Sequence, residues 1–549
     1  MKGGFRQSMS WLHTWTGLLV GWLLLMVFMA GTASYYRAEI SRWMRPELPK
    51  VEVTHAVAAE RAVEYLQREA PGAELWNVTL PDARNPVLRM FWRNPLPADG
   101  APQERGKRFG SAQLDPRTGA EIAARDTRGG DFFYRLHFDL HYLPPIWARL
   151  IVGFCAMFML VAIITGVITH KKIFKDFFTF RPGKGLRSWL DFHNASAVMA
   201  LPYHAMITYT GIVTLMFLYL PWGANAVYGD DQDAFFNEAF GGMAEVREAA
   251  DTPAAPYPIA SLIDRARQRW DGADAGGFVV HHPGDANAVV DVHQHGDGRL
   301  SFETPTLRFD GVSGALVSAS PDPGAASQTR SVMYGLHLGR FAGPGLRFLF
   351  FLSGLAGCLM VASGVVMWAV KERPKHLKAG HARSGSPGFG LRLVDALNIG
   401  AVAGLPIAFA SFFWANRLLP LGVAERAEVE IDLFFVAWLL SLAAAFAWPR
   451  RAMWTWQLYV GAALFALLPL LNALTTDAHL GVTLRNGDWA LAGVDLTVFA
   501  IGLLLAYGAR RMQRWRPPMS AAERRRKGVP AAGPTQAQAG GGATEGAAA

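Results

Sequence analysis

Seven histidines stand where their chemistry could matter. His137 and His141 lie one helical turn apart in "DFFYRLHFDLHYLPP" (131–145), just before a long apolar run. His337 lies in "SVMYGLHLGRF" (331–341), just before another. The two stretches write one element twice, Tyr134-x-Leu136-His137 and Tyr334-x-Leu336-His337. His13, His170 and His193 sit at the opposite ends of apolar runs, and His204 lies between the two levels. Ionisable side chains at membrane depth are costly and usually face the interior of a helix bundle at a functional site. Neutral imidazole is a natural axial ligand for haem iron, and helix bundles hold such cofactors between facing helices. Ligation by two imidazoles needs a pair at one depth on opposing helices. Two levels of histidine therefore imply two haems stacked across a membrane.

The elements that must position these residues follow from composition. The chain has 549 residues, 51% hydrophobic and only 18% charged, where soluble domains carry about a quarter. The shortfall is concentrated in eight nearly uncharged runs, roughly 11–35, 146–170, 194–220, 346–370, 394–415, 431–448, 453–473 and 489–508, which read as transmembrane helices. The first is too long for a signal-peptide core and lacks a cleavage pattern, so it is expected to stay as a span. Four basic stretches, at 171–187, 371–383, 449–451 and 509–528, fall on one side if both termini are cytoplasmic. The formal charge of +9 then marks the cytoplasmic face of a membrane protein, not a nucleic-acid partner. Cys155 and Cys358 lie inside apolar runs, and no C-x-x-C-H is present, so a haem here would be non-covalent. The Gly/Ala/Gln-rich end (531–549) is expected to be disordered.

The chain repeats itself. Spans at 1–36, 146–172, 193–221 and 344–371 enclose two outer segments, 37–145 and 222–343, each reading as a small α+β domain. "THAVAAERAVEYLQREA" (54–70) and "PIASLIDRARQRW" (258–270) read as helices. "LDPRTGAEI" and "FDGVSGALV" match as strand, turn and strand, with Gly119 and Gly314 in the turns. "SWLHTWTGLLV" (10–20) parallels "SWLDFHNASAV" (188–198), which places His13 and His193 alike. The fold expected is thus a polytopic α-helical membrane protein of about eight spans with two periplasmic domains, its first four spans forming two parallel repeats. Cytoplasmic segments are expected at 173–192 and 372–391. Residues 392–508 read as an appended four-helix bundle, with a basic tail from 509 to 549.

These marks, with "LPYHAMITYTG" (201–211), resemble the PepSY-associated transmembrane proteins of bacteria, often described as iron-regulated inner-membrane proteins. The resemblance covers about residues 5–375. It implies PepSY-like outer domains and an inner-membrane siderophore reductase carrying two b-type haems. The four additional spans depart from the minimal four-span members, and no role is assigned to them.

Symmetry suggests the pairing. Equivalent residues of two repeats face each other across the axis, so His137 with His337 would hold an outer haem and His13 with His193 an inner one. His141 shares a face with His137 and is an alternative to it. His170 ends the second span and is an alternative to His13. His204, about 16 Å of helix beyond His193, is a ligand or a polar neighbour of a haem. The His137–His141 spacing also suits zinc, but there is no H-E-x-x-H, and Asp139 falls on another helix face. His281, His282, His293 and His295 read as part of a solvated hairpin in the second outer domain.

A siderophore's hard oxygen ligands hold Fe(III), and one electron releases the iron as Fe(II). A transmembrane haem chain could deliver that electron to the periplasmic side, beside a cleft that includes Tyr134, Arg135, Tyr334 and Arg340. No G-x-G-x-x-G follows a strand, so the donor is expected to be a quinol or a separate cytoplasmic reductase. Two alternatives are a transporter of iron or the siderophore complex, and a regulatory module whose outer domains bind a protein partner.

Overall fold

The computed structural model describes residues 4–514 except 50–52, 97–107, 171–172, 174–178, 241–245 and 381–387. Three of the four basic stretches are therefore only partly within the described residues, and the end at 531–549 lies outside them. Seven helices among the described residues are long and apolar enough to cross a membrane.

The first is α1 (Phe5–Ser34), longer than the roughly 20 residues a bilayer requires. Short α2 (Arg37–Trp43) leads into the first outer unit, α3 (His55–Glu69), β1 (Leu75–Thr79), β2 (Leu88–Arg93) and β3 (Phe109–Leu114). Thr54 caps α3 through the Val57 N–H. Then come α4 (Gly130–Asp139), which carries His137, and the spanning α5 (Pro145–Thr169).

The third expected span, 194–220, needs correction. It is two 14-residue helices, α6 (Leu186–Met199) and α7 (Leu201–Thr214), broken at Ala200. Pro202 has no N–H to give the Val198 carbonyl, so a continuous helix would lose a bond and meet the proline ring. The broken segment nonetheless runs from the level of His193 to that of Gly211, which lies beside His337.

The second outer unit is α8 (Ile259–Arg269), β4 (Ala275–His281), β5 (Val289–Gln294), β6 (Thr306–Asp310) and β7 (Leu316–Ala319). It is followed by α9 (Ala325–Leu338) with His337, and by α10 (Pro344–Gly380). The appended bundle is α11 (Phe389–Val402), α12 (Gly404–Leu418), α13 (Arg426–Ala447), α14 (Arg451–Thr475) and α15 (Trp489–Arg514). Its first span bends at Ala403, where Pro406 opens α12.

The two outer units are not separate domains as expected. They share one antiparallel sheet of seven strands, in the order β3-β2-β1-β4-β5-β6-β7. β1 and β4 pair with Asn77 opposite Val279. Each unit alone would leave a bare strand edge and too small a core, and joining the two edges removes both liabilities. α3 and α8 pack together over the join, burying Ala62, Leu66, Leu262, Phe278 and Leu307 in one core. Both matched turns are present, but only the second joins two strands, β6 and β7; after the first, an isolated Leu114–Glu121 bridge replaces the expected strand. Asp115 Oδ1 accepts from the N–H of Arg117 and Thr118, and Asp310 Oδ1 from those of Val312 and Ser313. Gly119 and Gly314 adopt φ of 71° and 70°, open to glycine without strain.

In the membrane region α1 packs against α5 and α10, α6 against α10, and α7 against α5 and α9. Phe154, Ile164, Leu439, Leu440 and Leu504 point outward, as on a wall solvated by lipid.

Candidate functional site

The structure brings together the two histidine pairs that symmetry suggested. The rings of His137 and His337 have centroids 6.0 Å apart, and those of His13 and His193 6.2 Å. Fourteen residues of α1 separate His13 from Val27, whose carbonyl meets His137, so the pairs lie about 21 Å apart along the helix.

One local device holds all four rings. Nδ1 of His13 donates to the Ala162 carbonyl at 2.8 Å, and that of His193 to Met360 at 2.9 Å. His137 donates to Val27 at 2.7 Å and His337 to Ile207 at 3.0 Å. A carbonyl can only accept, so each Nδ1 carries the proton and each Nε2 keeps its lone pair. No group among the described residues hydrogen-bonds any of these four Nε2 atoms. Four residues after each accepting carbonyl stands a glycine: Gly166, Gly364, Gly31 and Gly211. A β-carbon there would lie 3.2 Å from His13, 3.3 Å from His193, 2.7 Å from His137 and 2.9 Å from His337. Each imidazole therefore lies in a notch on its neighbouring helix. Thr165, Ser363 and Thr210, one residue before three of the glycines, bring a hydroxyl within 3.4 Å of the same Nδ1.

This arrangement fits iron held between two imidazoles. Two rings binding one metal in line, each at the roughly 2 Å usual for histidine, place their centroids about 6 Å apart. The second-shell hydrogen bond that fixes ring and tautomer is also present at every position. Beside the outer pair opens a cavity of about 710 Å³, reaching from His137 and His337 to the underside of the sheet. That is within the range of cofactor and ligand sites. The residues present thus fit a haem at the outer level, and the pair geometry fits one at the inner level.

Three other histidines do not join a pair. His141 adopts φ of 58° in the turn after α4. Its Nε2 lies 3.6 Å from Glu428 of the appended bundle, and its ring stacks on Phe435. The left-handed turn rotates it away from the face of α4 it would share in a continuous helix. His170 caps α5, with Nε2 2.9 Å from the amide nitrogen of Asn194. His204 is fully buried midway, with Nε2 3.1 Å from the Ser353 carbonyl, over Gly357 and edge-on to Phe28. It occupies a fifth notch of the same kind. No group of three or more His, Cys, Asp or Glu that could hold a metal ion occurs among the described residues.

Of the expected cleft residues, Tyr134, Tyr334 and Arg340 line the cavity. Arg135 does not; it is exposed and reaches Asp139. The expected solvated histidine hairpin is partly internal. His293 and His295 line the cavity, and His281 lies 3.2 Å from Asp291. Burial works against ionised Asp291. The two 2.6 Å bonds from Arg308, with His281, outweigh it and hold the carboxyl below its usual range.

The appended bundle grips the segment that carries His137. Phe132 and Phe133 of α4 pack among Phe409, Phe412 and Phe434. Thr127 bonds Glu430, and Tyr142 bonds Asp432. Trp43 donates to Asp495 at 2.9 Å and Arg42 to Asp488 at 2.8 Å, while Arg417 lies over the Trp43 ring. Sequence reasoning missed this clamp, the glycine notches and most of the cavity's arginines. The notches had a signal: "AIITG" (162–166), "MVASG" (360–364), "VFMAG" (27–31) and "ITYTG" (207–211) recur, one for each paired histidine.

The chain belongs to the family of the PepSY-associated TM region, whose model matches residues 10–371. The match holds all four paired histidines and stops before the appended bundle. The chain is also similar to an uncharacterized protein of Pseudomonas aeruginosa, 28% identical over 394 residues, which cover 68% of this chain and 93% of that protein.

Proposed function

We propose that the chain is a di-haem b oxidoreductase of the bacterial inner membrane that moves electrons outward to a ferric siderophore and releases Fe(II) in the periplasm. The observation that carries this reading is the four-fold repeat of one imidazole setting. Two pairs, with ring centroids 6.0 and 6.2 Å apart at two depths, keep all four Nε2 atoms free of any hydrogen bond among the described residues. When bound, each haem supplies a one-electron Fe(III)/Fe(II) couple.

The chain's own residues do the rest. The carbonyls of Ala162, Met360, Val27 and Ile207 fix the rings and their tautomer. Phe28 and His204 pack edge to face between the two levels. The basic stretches face the cytoplasm, where a quinol or a reductase gives one electron per turnover. The sheet and α4 border the periplasmic cavity in which the chelated Fe(III) accepts it. Tyr134 and Tyr334, one from each repeat, flank that cavity.

A second reading, carriage of the intact chelate, draws on the broken α6–α7 segment, since discontinuous helices serve transporters. Here His204, one turn past the break at Ala200, is fully buried. The test is a dithionite-minus-air difference spectrum of the purified protein with haem counted by pyridine haemochrome. Two b-type haems per chain, reoxidised by a ferric siderophore, are expected. A colourless, fully folded protein defeats the reading. Uptake of chelate and metal together would favour the transporter.

A further inference from the structure

The cavity beneath the sheet carries more positive charge than its own carboxylates neutralise. Seven arginines line it, Arg37, Arg42, Arg45, Arg84, Arg89, Arg340 and Arg347, against three aspartates, Asp82, Asp131 and Asp297. Four of the arginines are matched. Arg37 pairs with Asp131 and Arg42 with Asp488; Arg84 and Arg347 share Glu39, at 2.8 and 3.5 Å. Asp82 is occupied in a turn, accepting from the N–H of Arg84 and Asn85. Arg45, Arg89 and Arg340 have no carboxylate partner among the described residues. Arg45 donates to the Thr127 carbonyl, Arg340 lies 5.1 Å over the Phe302 ring, and Arg89 is exposed on β2. They reach the cavity from the end of α2, the sheet and the end of α9. A cleft lined by one sign of charge between low-dielectric walls focuses its field on whatever enters. Tyr134 and Tyr334 add ring faces and phenol hydroxyls to the same walls.

We propose that this cavity selects iron(III) chelates of net negative charge, the class built from catecholate or α-hydroxycarboxylate oxygens, and that Arg89 and Arg340 carry the selection. The proposal rests on the reading of the chain as a ferric-chelate reductase. Three doubly charged catecholates around Fe(III) leave a net negative complex, whereas three singly charged hydroxamates leave a neutral one. Guanidinium groups donate charge-assisted hydrogen bonds to such oxygens and reward the first class alone. The same donors could serve the propionates of an outer haem, and the test separates the two sources.

Redox-inert gallium(III) complexes allow binding to be measured without electron transfer. The haem-loaded full chain, and its Arg89→Ala, Arg340→Ala and double variants, are titrated with gallium(III) tris-catecholate and gallium(III) tris-acetohydroxamate at low and at high salt. The tris-catecholate is expected to bind at least about tenfold more tightly at low salt, with the margin shrinking at high salt and lost in the double variant. Haem content is expected to stay at the wild-type value in all variants. Equal affinity for the two complexes, no binding of either, or a preference untouched by the double variant overturns the proposal. Loss of haem from the variants also overturns it and assigns the arginines to propionates. Selective binding with no reoxidation of reduced protein by the iron(III) tris-catecholate would sink the reductase reading and leave the anion site standing.

Discussion

Replacing Gly31 by alanine tests the notch directly. The new methyl would stand 2.7 Å from both Cε1 and Nδ1 of His137. Ordinary contact between such atoms is about 3.5 Å, so the ring has to retreat by about 0.8 Å. Its 2.7 Å bond to the Val27 carbonyl would then stretch to about 3.5 Å, beyond hydrogen-bond range. The lost bond costs about 1 kcal/mol and the overpacking about 1–3 kcal/mol, together about 2–4 kcal/mol at the outer centre. Gly364→Ala is the control. There the methyl meets His193 at 3.3 Å, a shift of a few tenths of an ångström suffices, and the cost is about 1 kcal/mol or less. The assay is haem per chain by pyridine haemochrome, with a potentiometric titration resolving the two centres and thermal unfolding in detergent alongside. Gly31→Ala is expected to lose or shift the outer centre alone, and Gly364→Ala to keep both nearly unchanged. A Gly31→Ala protein with two haems at wild-type potentials would refute the notch argument, as would a larger effect at Gly364.

Alanine at His13, His193, His137 or His337 should each remove one haem, whereas alanine at His141 or His170 should leave two, as counted by the same haemochrome assay. Glu430→Ala leaves Arg426, 1% exposed, without its buried partner, and should cost about 3–5 kcal/mol in detergent unfolding. If α13 also steadies α4, the outer centre's potential should move while the inner one stays. Acidification should weaken the sheet through Asp291: its folded pKa is depressed, so its stabilisation is present above the ordinary carboxylate pKa and is lost as pH falls through the lower folded value. Hydrogen exchange of β5 and β6 across that acid range should register the loss, and Asp291→Asn should abolish this pH dependence.

Much of this protein is legible in one dimension. Apolar runs of bilayer length identify spans because lipid leaves the backbone no other partner than its own helix. The repeated Y-x-L-H elements and the matched "LDPRTGAEI" and "FDGVSGALV" hairpins announce two copies of one unit, and equivalence alone pairs His13 with His193 and His137 with His337. The sequence also holds the four glycine notches, as pentapeptides whose meaning is invisible until a ring is seen lying over them. Other features exist only in three dimensions. That β1 and β4 join two units into one sheet depends on the meeting of two edges about two hundred residues apart. The exclusion of His141 depends on the left-handed turn that rotates it toward Glu428. Which arginines remain free to meet a ligand depends on where Glu39, Asp131 and Asp488 come to rest. Periodicity and composition are local properties, and so they are written along the chain. Edges, ion pairs and cavities are relations between distant segments, and packing alone decides them.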